Sequence, residues 1–124
     1  MKSSLEIQIR YSDVDLLGHV NNAIFLTYYE LGRINFFGKF MKDPADIRFV
    51  VAHIEVDFFK EVMFDDAPVC TTAVDKLGNT SVTFRSYISI KDEIASKCKA
   101  VLVYVDKENR PSIIPANIRK HLVD

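Results

Sequence analysis

The sequence predicts an α+β domain in which one long helix is wrapped by a curved antiparallel sheet. Three observations carry that expectation: a period-two strand at the N-terminus, one helical stretch apolar on several sides, and four β-rich runs separated by turn signals. The chain has 124 residues, enough for one domain with a real core, and residues 1–124 are expected to form a single domain.

Leu5, Ile7 and Ile9 alternate with Glu6, Gln8 and Arg10, which reads as the first strand. Residues 22–41, NAIFLTYYELGRINFFGKFM, set Ile24, Phe25, Tyr28, Leu31 and Phe36 at helical spacing, with Leu26, Tyr29 and Phe37 on further faces. A helix apolar on so many sides is buried on more than one. At the usual rise it is roughly 27–30 Å long. Asn21 or Asn22 is placed to be its N-cap, and Gly38 to help end it. Gly32 in the interior costs stability relative to Ala, so it predicts close approach of another backbone.

Residues 47–60, 67–77, 80–91 and 95–106 then read as strands rich in Val, Ile, Thr and aromatics. Gly78-Asn79 suits the centre of a type II′ hairpin, and a second turn falls at Asp92-Glu93. The tail turns at Arg110-Pro111 and starts a short helix with Pro115 near its first turn. One helix leaves such a sheet partly uncovered and its edges open, so a homodimer is the expected unit of assembly.

Composition narrows the function classes. Apolar residues make up 48% and charged residues 27%, as in a globular chain. A net charge of −1, spread along the chain, lacks the basic face of a nucleic-acid binder. No apolar run is long enough to span a bilayer, and the N-terminus has no signal core. A cytoplasmic protein with no membrane partner is expected. Cys70 and Cys98 form no CxxC and fall in strands, so buried free thiols are expected. His19, His53 and His121 have no HxxxH or HxH spacing, and no metal site is expected.

Against this background the segment YSDVDLLGHVNNAIFLTYYELGR stands out for its polar density. Asp13, Asp15, Gly18, His19, Val20, Asn21, Asn22, Phe25, Tyr28, Glu30 and Arg33 follow the spacing of one known pattern. The chain resembles the hotdog-fold thioesterases, in particular the acyl-CoA branch that includes 4-hydroxybenzoyl-CoA thioesterase. DFFKEVMFDDAPV and RPSIIPANIRKHL resemble that family's second strand and its ending, so the similarity extends over most of the chain. Two positions depart from the pattern. Phe25 stands where Tyr is common, which removes a hydroxyl, and Lys60-Glu61 stands where a Pro is common.

The resemblance implies an acyl-CoA thioesterase that releases a free carboxylic acid and CoA. It implies self-association as a homodimer and then a homotetramer. It implies no cofactor, CoA being part of the substrate. Thioester hydrolysis needs an activated water or a carboxylate nucleophile, and donors for the developing oxyanion. By resemblance Asp15 is that carboxylate, as general base or as nucleophile. Read without the family, an Asp in a loop is better explained by a turn hydrogen bond than by catalysis. The first N–H groups of a helix lack intrahelical partners and lie at the positive end of its dipole. The resemblance docks the thioester oxygen there, with the N–H of Asn22 or of a neighbour as the best donor.

His19 is implied either to bond the loop or to act on substrate directly. Asn21 and Asn22 suit a cap and a loop clamp, and Asp13 suits fixing the loop. Gly18 suits a tight turn that lets substrate approach. Glu30 is the reserve carboxylate and lies i to i+3 from Arg33, with which it is spaced to pair. CoA phosphates call for Lys or Arg, and Lys60, Arg85, Lys91 and Arg110 are the candidates. Phe25, Phe58, Phe59 and Ile114 are candidates for an apolar acyl pocket. Three alternatives stay open: an acyl-ACP thioesterase, a dehydratase on the same fold, and a non-catalytic acyl-CoA binder.

Overall fold

In the computed structural model, which describes residues 1–123, the β-rich runs form one five-stranded antiparallel sheet. Its strands are β1 (Lys2–Glu6), β2 (Phe49–Phe58), β3 (Val69–Leu77), β4 (Ser81–Ile90) and β5 (Glu93–Tyr104). They lie in the order β1-β3-β4-β5-β2, curved around the helix α1 (Ile24–Phe37). A short α2 (Ala116–Leu122) follows Pro115.

The first strand sits earlier than the alternation suggests. It ends at Glu6, and Tyr11–Asp13 form a 3-10 turn that redirects the chain toward α1. The helix is shorter than expected, 14 residues or about 21 Å. Beyond Phe37 the chain continues in turns closed by Lys39 N–H to Phe36 O and Met41 N–H to Phe37 O. Gly38 does cap the helix, but in right-handed backbone geometry.

Gly32 also has a different reason. A Cβ there would sit 2.6 Å from Cys70 Sγ and 2.9 Å from Thr72 Oγ1, so α1 approaches side chains of β3, not backbone. The buried side of α1 carries Phe25, Tyr28, Tyr29, Phe36 and Phe37. Each large apolar side chain buried this way contributes on the order of 1.5–3 kcal/mol. Phe36 and Phe37 meet Phe84 of β4 edge-on at 5.1 and 5.5 Å, and Phe37 stacks on Phe49 of β2.

Two turns differ from expectation. Gly78 lies outside the left-handed region, so the β3–β4 connection is not type II′. Its carbonyls are engaged elsewhere: Arg119 Nη2 donates to Gly78 O and Asn79 O, and Ile114 N–H donates to Asn79 O. The turn closes through Gly78 N–H to Ser81 O, and the C-terminal tail holds its outward carbonyls. The β4–β5 hairpin turns on Lys91 and Asp92, both with positive φ. Cys70 and Cys98 are free and buried, and burial pushes each thiol up to about 11.

Candidate active site

The segment before α1 is a tight hairpin. Val14 and Val20 bridge, Asp15 N–H donates to His19 O, and Gly18 N–H donates to Asp15 O. Gly18 has φ +82, the left-handed geometry this turn needs. Asp15 holds the loop with one oxygen: Oδ1 accepts from Leu17 N–H at 2.9 Å and His19 N–H at 3.0 Å. Oδ2 has no hydrogen-bond partner among the described residues. The hairpin is anchored to the segment after β2 by Val20 N–H to Val62 O and Phe64 N–H to Gly18 O.

Asp13 ties this loop to the helix. It is 1% exposed and accepts from Arg10 N–H, Arg10 Nε and Nη2, and Tyr28 Oη at 2.7 Å. Burial opposes its charge, but these bonds outweigh burial and lower its pKa. Tyr29 Oη donates to Ser96 Oγ, which donates on to Asp57 O.

The helix start is not capped as the sequence suggests. Ala23 is the capping residue, and neither Asn21 nor Asn22 is the N-cap. Asn21 contributes through its side chain, whose Oδ1 accepts Ala23 N–H, and through its carbonyl, which accepts Ile24 N–H. Most of the early N–H groups are therefore spoken for. The Asn22 N–H is without a partner among the described residues.

These groups border one cleft of about 550 Å³, lined by Asp15, His19, Asn22, Phe25, Lys60 and Glu61 together with neighbouring residues. One wall is the hairpin and the start of α1; the other is the end of β2 and the turn after it. Phe58 and Phe59 lie in that second wall, with Phe25 edge-on to Phe58 at 5.0 Å. Lys60 Nζ pairs with Glu93 Oε2 at 2.8 Å. Glu61, which the sequence marked only as a departure, lies with its Oε2 3.3 Å from His19 Nε2.

Other candidates lie elsewhere in this chain. Arg85 is on β4, pairs with Asp75, and lines a different groove. Lys91 is in the β4–β5 turn, and Arg110 pairs with Asp106 and Glu108. Ile114 is buried in the core. Gly18 shapes the loop but does not line the cleft. Glu30 lines a separate groove with Arg33, and the two form no ion pair among the described residues. Arg33 is 4% exposed, burial lowers its pKa, and its Nη1 has no hydrogen-bond partner among the described residues. No group of three or more His, Cys, Asp or Glu among the described residues is arranged to hold a metal ion. No described helix is long and apolar enough to cross a membrane.

The sequence model of the thioesterase-like superfamily matches residues 9–122, nearly the whole chain. The chain belongs to the thioesterase-like superfamily. Its fold is the hotdog fold of that superfamily's solved members. A thioesterase from Thermus thermophilus, solved with coenzyme A and Zn, is 34% identical with a TM-score of 0.90; the match covers 96% of this chain and 90% of that one. A 4-hydroxybenzoyl CoA thioesterase variant, solved with 4-hydroxybenzoyl CoA, shares the fold at a TM-score of 0.87 and 14% identity, over 98% and 99% of the two chains. The uncharacterized protein YsmA of Bacillus subtilis (strain 168) is 27% identical over 112 residues, 87% of this chain and 76% of that protein. The thioesterase-like chain thus brings Asp15, His19, Asn22, Phe25 and Lys60 to one cleft and leaves Arg85 outside it.

Proposed function

We propose that this thioesterase-like protein is a cytoplasmic acyl-CoA thioesterase that hydrolyses its substrate to a carboxylic acid and CoA at the Asp15 cleft. The observation that carries this reading is a pairing of opposites in one cleft. A carboxylate oxygen, Asp15 Oδ2, and a backbone donor, the Asn22 N–H, are both without partners among the described residues. The thioester oxygen accepts from the Asn22 N–H, which stabilises the charge that develops on it. Asp15 Oδ2 either takes a proton from the attacking water or attacks the carbonyl carbon itself. A thiolate leaves readily, so one carboxylate suffices. Phe25, Phe58 and Phe59 offer the acyl group an apolar wall, and Lys60 stands at the cleft for a CoA phosphate.

The reading includes a homodimer as the working unit. Its support is an exposed apolar surface on α1 (Leu26, Leu31, Ile34) and on the edge strand β2 (Val50, Val51). A groove joins α1 to β2, and beside it lies the buried Arg33 Nη1, which has no hydrogen-bond partner among the described residues. A second subunit would cover this face and give the guanidinium an acceptor.

Thiol release over a panel of aliphatic and aromatic acyl-CoAs, for native protein and Asp15→Asn, tests the assignment. Turnover by native protein that is lost in the variant is expected. Unchanged turnover in the variant refutes the role of Asp15. Preference for acyl-ACP in paired assays refutes the CoA assignment, and tight acyl-CoA binding without turnover favours a binding protein. Light scattering on native protein tests the dimer; a monomer at assay concentration refutes it.

A further inference from the structure

A third group in the cleft lacks a partner among the described residues: the Nδ1 nitrogen of His19. Its other ring nitrogen faces a carboxylate: Nε2 lies 3.3 Å from Glu61 Oε2, an ion-pair contact longer than a formed hydrogen bond. The backbone of His19 is fixed from both sides by Asp15, whose Oδ1 accepts its N–H and whose N–H donates to its carbonyl. What remains free is the ring's rotation and the choice of which nitrogen carries the proton. A carboxylate that closes on one ring nitrogen and accepts its proton would settle both. Glu61 is 69% exposed, and an exposed pair of this kind adds little to stability. The contact has more to offer the ring than the fold.

We propose that Glu61 is a positioning residue: its carboxylate accepts the Nε2–H of His19, fixes that tautomer, and leaves Nδ1 as an acceptor for the attacking water. The proposal rests on the hydrolytic reading, in the form where Asp15 acts as general base. The water oxygen attacks the thioester carbon while one of its hydrogens passes to Asp15 Oδ2. Its second hydrogen is donated to His19 Nδ1, which orients the water and does not take the proton. The C–S bond then breaks, sulfur leaves with the bonding pair, and the proton on Asp15 passes to the thiolate. Water and thioester are consumed, and carboxylic acid and CoA thiol are formed. A water held by two acceptors presents a lone pair to the carbon, so the benefit falls on kcat, not on binding.

Glu61→Ala and Glu61→Gln, compared with native protein, test this. Two readouts are needed: thiol release, and the His19 ring tautomer from long-range ¹⁵N–¹H correlation spectra. Glu61→Ala is expected to lower kcat about tenfold with KM little changed, and to shift His19 from Nε2–H to a mixture. Glu61→Gln keeps an oxygen that accepts the same bond and is expected to restore most of both. An unchanged tautomer in Glu61→Ala overturns the proposal, as does a change in KM with kcat intact. A native protein that turns over no thioester overturns the hydrolytic reading and the water-orienting step with it. Glu61's hold on the ring is then upheld or refuted by the tautomer alone.

Discussion

Asp15 and Asp106 hold their loops with the same hydrogen bonds. Oδ1 of each accepts the N–H groups two and four residues on: Leu17 and His19 in one loop, Glu108 and Arg110 in the other. Gly18 and Asn109 fill the same left-handed position, with φ of 82 and 61. A carboxylate in this loop is therefore a turn device and no sign of catalysis by itself. The surroundings separate the two. Oδ2 of Asp106 lies 3.6 Å from Arg110 Nε, whereas Oδ2 of Asp15, at the cleft, has no partner among the described residues.

That comparison gives a matched pair of variants. An Asn side-chain oxygen accepts the same two bonds, so Asp15→Asn and Asp106→Asn should each unfold within about 1 kcal/mol of native in denaturant titrations. Only Asp15→Asn should lose turnover, by roughly 10²–10⁴-fold. Asp15→Ala removes the acceptor as well and should cost about 1–3 kcal/mol more. Equal losses of turnover in the two Asn variants would mean that activity follows loop geometry and not the free oxygen.

Lys60 supplies a second measurement. Its ammonium is held at 2.8 Å by Glu93, so an incoming phosphate must compete with that carboxylate. Lys60→Ala should raise KM for acyl-CoA about three- to tenfold and leave kcat nearly unchanged. Glu93→Gln should act in the opposite direction, lowering KM. Both effects should shrink in high salt, because the pair is partly exposed and screened. A kcat effect with constant KM in Lys60→Ala would exclude a phosphate role.

The sequence made the strand order along the chain and the helix legible because both rest on local periodicity. It made Asp15, His19 and Asn22 legible because they are packed into one short segment. What it could not show depends on distant partners. The carbonyls of Gly78 and Asn79 are held by Arg119 and Ile114, which lie some 35 to 40 positions on. Gly32 answers to Cys70 and Thr72 on a strand that follows it in the chain. Arg85 looked as good a phosphate ligand as Lys60, since nothing local says which strand face it occupies. Glu61 was visible only as a residue out of pattern, and its contact with His19 exists only once the hairpin bridges to Met63.

The Asp13–Tyr28 bond predicts how stability responds to acid. Burial, then the bond to Asp13, raises the pKa of Tyr28 and keeps its hydroxyl a donor. Asp13 itself is lowered from 3.8, so the unfolded chain takes up its proton more readily than the native protein does. Its contribution is present above that ordinary value and is lost as pH falls through the lower, native one. Tyr28→Phe should cost about 1.5–3 kcal/mol at neutral pH, the range for a hydrogen bond to a charged group. It should also flatten the loss of stability below pH 3.8, since part of the depression of Asp13 goes with the hydroxyl. Denaturant unfolding of native and variant protein across that range checks both. A constant difference between them at every pH would mean that Tyr28 does not bias the Asp13 proton.

Gly32 offers a test of the packing beneath the site. Adding a methyl places Cβ 2.6 Å from Cys70 Sγ, closer than such atoms come, so β3 or α1 must shift. Gly32→Ala should lose about 1–3 kcal/mol in spite of Ala's better helix propensity. Cys70→Ala alone leaves a small cavity and should also destabilise, by roughly 1 kcal/mol. Combined, the two should be less destabilising than their sum, because the second removes the sulfur that the first strikes. A coupling of about 1 kcal/mol in the double-mutant cycle is expected. Thr72 Oγ1 at 2.9 Å still crowds the new methyl, so recovery should be incomplete, and adding Thr72→Ala should return more of it. Strict additivity of Gly32→Ala and Cys70→Ala would show that α1 relieves the strain by moving away from β3 and not by pressing on the thiol.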